Sequence, residues 1–164
     1  MKKIGIFKAM KLCKDYEKMS AEKQQEIQKK RLEEIVEYAR KNSPYYRKLY
    51  QNVPQSFSLT DLPQTDKKNL MENWNDWVCD KKLTLEEVEK FMEDTDNIGR
   101  KLKKKYLVFT TSGSTGNPLV SIYDNTANNV MGGISARRSY ARKEDLVAFI
   151  KRGGKSIGVF ADKG

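Results

Sequence analysis

Histidine is absent from the sequence, and cysteine occurs only at Cys13 and Cys79. Those two facts exclude zinc sites of the Cys/His type and every catalytic triad that needs an imidazole base. Two thiols far apart in the chain suit a reducing compartment, so the cytoplasm is expected. Long apolar runs are missing as well. Lys8 and Lys11 interrupt the apolar start, and no later stretch approaches the ~18 apolar residues that a membrane span requires. Neither export nor a membrane partner is expected. Acidic residues are too few to balance the basic ones: 22 Asp and Glu stand against 32 Lys and Arg, leaving +10. That balance favours anionic partners without choosing among nucleotides, nucleic acid and acidic lipid. Because lysines alternate with acids, as at Glu17-Lys18 and Glu22-Lys23, most of them read as solvated faces.

What is present is enough for one domain, or for part of a larger one. The chain has 164 residues, of which 38% are apolar and 33% charged, with 8 Tyr, 6 Phe and 2 Trp as bulky core material. Over 21–41 the residues Leu32, Ile35, Val36 and Ala39 recur at helical spacing, which predicts an amphipathic helix. Pro44 ends it at Ser43, and Tyr45, Tyr46 and Tyr50 are read as packing against its end. Residues 52–63 form a loop with Pro54 and Pro63, after which Thr65 or Asp66 caps a short helix carrying Leu70, Met71 and Trp74. Thr84 with Glu87 makes a capping box for a helix whose face holds Leu85, Val88, Phe91 and Met92.

The pattern changes near residue 100. A basic run, Lys103-Lys104-Lys105, gives way to strand-prone 106–110, then to the loop 110–118, then to strand-prone 119–123. Asp124 or Asn125 caps a helix to about Arg142, in which Gly132 and Gly133 imply either a close neighbour or a kink. Arg137, Arg138 and Arg142 fall on nearby turns of that predicted helix, where a solvated face is favoured over an anion contact. Residues 156–160 read as one more buried strand. The expected fold class is α/β, with a mainly helical region over 1–100 and a partial α/β region over 101–164.

The loop carries the chemistry. Thr110, Thr111, Ser112, Ser114 and Thr115 supply hydroxyls, and Gly113 and Gly116 are spaced three apart. Glycines there let successive backbone N–H groups turn inward around an anion while the hydroxyls donate to its oxygens, which suits phosphate. The spacing is not that of a Walker loop, and Asn117 stands where that loop has lysine. No Gly-x-Ser-x-Gly elbow is present either.

The run Thr111-Ser112-Gly113-Ser114-Thr115-Gly116-Asn117-Pro118 resembles the phosphate loop of adenylate-forming enzymes. The segments Asn42-Ser43-Pro44-Tyr45-Tyr46-Arg47 and Leu62-Pro63-Gln64-Thr65-Asp66-Lys67 are similar to upstream parts of the phenylacetate–CoA ligase family, nearest its capsular-polysaccharide branch. Many acyl–CoA synthetases have lysine after the proline; Leu119 stands here, as is frequent in that branch.

The resemblance implies an AMP-forming ligase that activates a carboxylate with ATP and Mg2+ and passes the acyl group to CoA. It implies a longer protein of which this chain is an N-terminal fragment, holding part of the large N-terminal subdomain sheet and inactive alone. It assigns ATP-phosphate binding to Thr111, Ser112, Gly113, Ser114, Thr115, Gly116 and Pro118, and it assigns no catalytic residue and no metal ligand within this chain. The partners so implied are a nucleotide, a carboxylate and the remaining polypeptide as a separate chain. The alternative is a non-catalytic basic module that binds nucleic acid or another polyanion.

Overall fold

A computed structural model describes residues 3–111, 118–139 and 142–155. Within them the chain is helix-rich and mixed, with eight α-helices and one small antiparallel sheet of two strands. It divides into two compact units, Met19–Ile122 and a discontinuous one made of Met1–Lys18 with Tyr123–Gly164.

In the discontinuous unit, α1 (Ile6–Glu17) packs on α7 (Asn125–Ser139), and α8 (Lys143–Lys151) follows. The helix α1 was not foreseen, although Ile6, Met10 and Cys13 already stood at helical spacing. Gly133 explains the pairing. A Cβ added there would lie 2.5 Å from the Ala9 Cβ and 2.8 Å from the Ile6 carbonyl oxygen, so only glycine lets the two backbones approach so closely. The expected close neighbour of the paired glycines is therefore α1. Asn129 Nδ2 donates to the Ile4 carbonyl at 3.1 Å, and Arg137 pairs with Glu17 at 2.8 Å.

The unit Met19–Ile122 begins with α2 (Ala21–Asn42), capped by Ser20, whose hydroxyl accepts the Lys23 N–H. Pro44 does end it, but the tyrosine run goes on to form a helix of its own, α3 (Pro44–Leu49). Ser43 serves both. It is fully buried, its hydroxyl accepts the Tyr46 N–H, and it donates to the Asp76 carbonyl at 2.8 Å. Arg40 donates to the carbonyls of Tyr50 and Val53 at 3.0 and 2.7 Å, tying the chain beyond α3 back to α2.

Of the two cap candidates before α4 (Lys67–Glu72), Asp66 is the one used, accepting the Asn69 N–H at 2.8 Å. The predicted helix breaks at Asn73, and Trp74 opens α5 (Trp74–Trp77). Thr84 caps α6 (Leu85–Glu93) through the Glu87 N–H at 3.2 Å. The Glu87 carboxylate, expected to close a reciprocal box, lies instead on Lys103 Nζ at 2.8 Å. An ammonium partner is the stronger attraction.

Trp74, Leu83, Val88, Leu102, Tyr106 and Val120 form the core of this unit, with Val108, Ile122, Phe91 and Met92 packed against it. Strands β1 (Leu107–Thr110) and β2 (Val120–Tyr123) thus reach the core through alternate residues, Val108 on one strand and Val120 and Ile122 on the other. A tight turn precedes β1. Lys103 and Lys104 have φ of 51° and 57°, which lets the Leu102 N–H meet the Tyr106 carbonyl at 2.9 Å. Left-handed lysines are unfavourable by themselves, and the Lys103 ion pair with Glu87 helps to hold the first of them.

One further expectation is corrected here. The last predicted helix stops at Ser139, and Arg142 is the N-cap of α8, paired with Asp145 at 2.8 Å, so the three arginines do not share one helix. The strand expected over 156–160 lies outside the described residues.

Candidate functional site

The two strands owe their position to the core, and their facing ends define the mouth of the predicted phosphate loop. Thr111 and Leu119 close that mouth with two hydrogen bonds. The Thr111 N–H donates to the Leu119 carbonyl at 3.0 Å, and the Leu119 N–H donates to Thr111 Oγ1 at 2.9 Å. The second bond is a side-chain contact that the sequence alone did not suggest. Its signal was available: a threonine directly after one strand-prone run, eight positions before the residue that opens the next. A hydroxyl that accepts still has its proton to donate, so Thr111 can hold the mouth and also face an anion. Pro118 is exposed at the same end of the hairpin. Ser112, Gly113, Ser114, Thr115 and Gly116 lie outside the described residues, as does Asn117.

The electrostatics of the hairpin are concentrated at its other end. Lys105 donates to the Tyr106 hydroxyl, which donates to Asp80, and Lys105 also pairs with Asp80 at 3.2 Å. The Tyr106 hydroxyl, with help from Lys105, holds the Asp80 carboxyl below its ordinary range. Desolvation and the bond to Asp80 push the Tyr106 phenol up, and bonding to Tyr106 and Asp80 raises Lys105. Lys103 is committed to Glu87 and to the Lys82 carbonyl. The basic run is therefore largely neutralised within its own unit. The four-residue strand β1 separates it from Thr111, a span of ~13 Å at ~3.3 Å per residue. Lys103 and Lys105 consequently place their charge at the end of the hairpin away from the loop mouth.

A cavity of about 410 Å³ borders β1 at Val108 and Thr110, with Phe91, Met92, Asn97 and Arg100 across from the strand. A larger groove of about 900 Å³ runs along α2 between Leu32, Ile35, Phe57 and Leu59. Among the described residues no group of three or more Asp, Glu or Cys is placed to hold a metal ion. No helix among them is long and apolar enough to cross a membrane, and both cysteines are free thiols. The tyrosines 45, 46 and 50 pack on one another, edge-on at 5.4 Å and stacked at 5.2 Å. Comparison with known proteins finds no matching family model, no matching curated protein and no matching solved structure.

Proposed function

We propose that this chain carries the triphosphate-gripping loop of an ATP-dependent, AMP-forming carboxylate–CoA ligase. The observation that supports this reading is the Thr111–Leu119 pair of hydrogen bonds at the base of a Ser/Thr/Gly segment between two core-anchored strands. A loop that grips an anion must hold its donors in place before the anion arrives, and a closed base reduces the ordering cost.

In the reaction so assigned, a carboxylate oxygen attacks the α-phosphorus of ATP and pyrophosphate leaves, after which the CoA thiol attacks the acyl carbon of the adenylate and AMP leaves. Thr111, Ser112, Ser114 and Thr115 donate to the phosphate oxygens, Gly113 and Gly116 allow backbone approach, and Pro118 fixes the exit of the loop. Mg2+ bound with the nucleotide would offset the phosphate charge that Lys103 and Lys105, engaged elsewhere, do not meet.

The test uses a fluorescent ATP analogue with Mg2+ and the whole chain. Pyrophosphate should displace the analogue as ATP does, Gly116→Val should weaken binding on the order of tenfold or more, and Arg138→Ala should leave it nearly unchanged. Thr111→Ser should retain binding and Thr111→Val should lose much of it, because valine cannot accept the Leu119 N–H. Binding that ignores Gly116 and collapses steeply with salt would instead return the chain to the class of basic polyanion modules.

A further inference from the structure

The outward face of α1 carries charge and an aromatic ring that the packing of its unit does not use. Phe7, Lys11, Lys14 and Lys18 recur at intervals of four, three and four residues and so share one face. Phe7 is 83% exposed. Lys8 is exposed beside it, and Lys3 is exposed just before the helix. The opposite face is fixed against α7 through the contact between Ala9 and Gly133. Of the nearby acids, Glu17 is held by Arg137 at 2.8 Å, which leaves Asp15 among five lysines. None of Lys3, Lys8, Lys11, Lys14 and Lys18 forms an ion pair among the described residues.

We propose that this face adsorbs to an anionic lipid surface, with the lysines on phosphate headgroups and Phe7 in the interfacial layer. Charge complementarity requires an anionic partner. The ring chooses among such partners, since the phosphate backbone of a nucleic-acid duplex offers a benzyl group nowhere apolar to go, whereas hydrocarbon lies directly beneath anionic headgroups. A polybasic patch with one apolar insertion is the two-signal combination that gives reversible membrane attachment. Adsorption of one face needs no membrane-spanning helix.

The experiment is co-sedimentation of the whole chain with vesicles of phosphatidylcholine alone or mixed with phosphatidylglycerol. Binding is expected only to the mixed vesicles. Lys11→Gln and Lys14→Gln should each weaken it about fivefold, and Phe7→Ser should weaken it several-fold while leaving the salt dependence unchanged. Because these side chains are exposed, the far-UV circular dichroism melt of each variant should match the parent and so separate binding from folding. Equal binding to neutral vesicles, indifference to Phe7 and the lysines, or displacement of the chain from vesicles by a stoichiometric single-stranded oligonucleotide would overturn the proposal.

Discussion

The two units are held together by opposite means. Met19–Ile122 is built on volume: Trp74, only 2% exposed, and the fully buried Val88 fill a core shared by helices and both strands. In the discontinuous unit the described contact between α1 and α7 is built on the absence of volume, where Gly133 admits Ala9 and the α1 backbone. Large apolar residues remain exposed on the same two helices, among them Phe7, Leu12 and Met131. A core made of large side chains is damaged by removing atoms, and a seam made of backbone contact is damaged by adding them.

Three sets of substitutions sharpen that contrast. The largest effect is expected at Trp74, where Trp74→Ala should destabilise by ~3–5 kcal/mol in urea unfolding. Trp74→Phe should cost much less, because the Trp74 Nε1–H has no hydrogen-bond partner among the described residues to lose. Both tryptophans lie in this unit, so the fluorescence of Trp77 can follow either variant. Near-equal losses for the two variants would mean that the ring's volume is not what matters.

Next comes the glycine pair, which tests the seam. Alanine in a helix is ordinarily better than glycine by ~1 kcal/mol. Gly132→Ala should show some of that gain, since the nearest atom to its new Cβ is the mobile end of Ile6 at 3.3 Å. Gly133→Ala should lose ~1–3 kcal/mol instead, because the atoms it meets are backbone and a Cβ that cannot rotate away. Melting followed by far-UV circular dichroism reads both, and the same sign for the two variants would remove the seam argument.

The smallest effect concerns the polar edge of the volume-built core. Asp80 titrates below its ordinary range in the folded chain, so its contribution is present above the unfolded pKa of ~3.9 and disappears as pH falls through the lower folded value. Asp80→Asn should therefore destabilise at neutral pH and narrow its deficit against the parent on acidification below about pH 4. At the alkaline end, Lys105 and Tyr106 are both raised. Their contribution is intact below ~10 and fades as pH climbs through their folded values. A constant deficit across the acid range would show that Asp80 acts by shape and not by charge.

Much of the secondary structure was legible because its signals are local. The apolar spacing of Leu32, Ile35, Val36 and Ala39, the proline at 44 and the caps at Thr84 and Asp124 each act within one turn of chain. The helix α1 was missed because lysines occupy its outer face, and a break in apolar content hid a pattern whose inner face was sufficient. The split at Asn73 was missed because Leu70, Met71 and Trp74 fit one helix in sequence, whereas Trp74 opens a new one and meets Trp77 edge-on at 5.5 Å within it. At the candidate site the sequence supplied the composition of the loop, while the bond from the Leu119 N–H to Thr111 Oγ1 depends on a strand pairing that no local pattern encodes.

The sequence by itself determined that this is a helix-rich chain with a strand, a hydroxyl- and glycine-rich segment and a second strand near residue 115, because propensity, capping and turn chemistry depend on neighbours a few positions away. Tertiary structure alone decided which partners the glycines and charges would find. Gly133 met a helix more than a hundred residues earlier in the chain, Glu87 turned from its own cap to Lys103, and the Lys105–Tyr106–Asp80 chain of hydrogen bonds engaged Lys105 at the end of β1 remote from Thr111. Those outcomes rest on distances between residues remote in sequence, and electrostatic and steric energies depend on those distances.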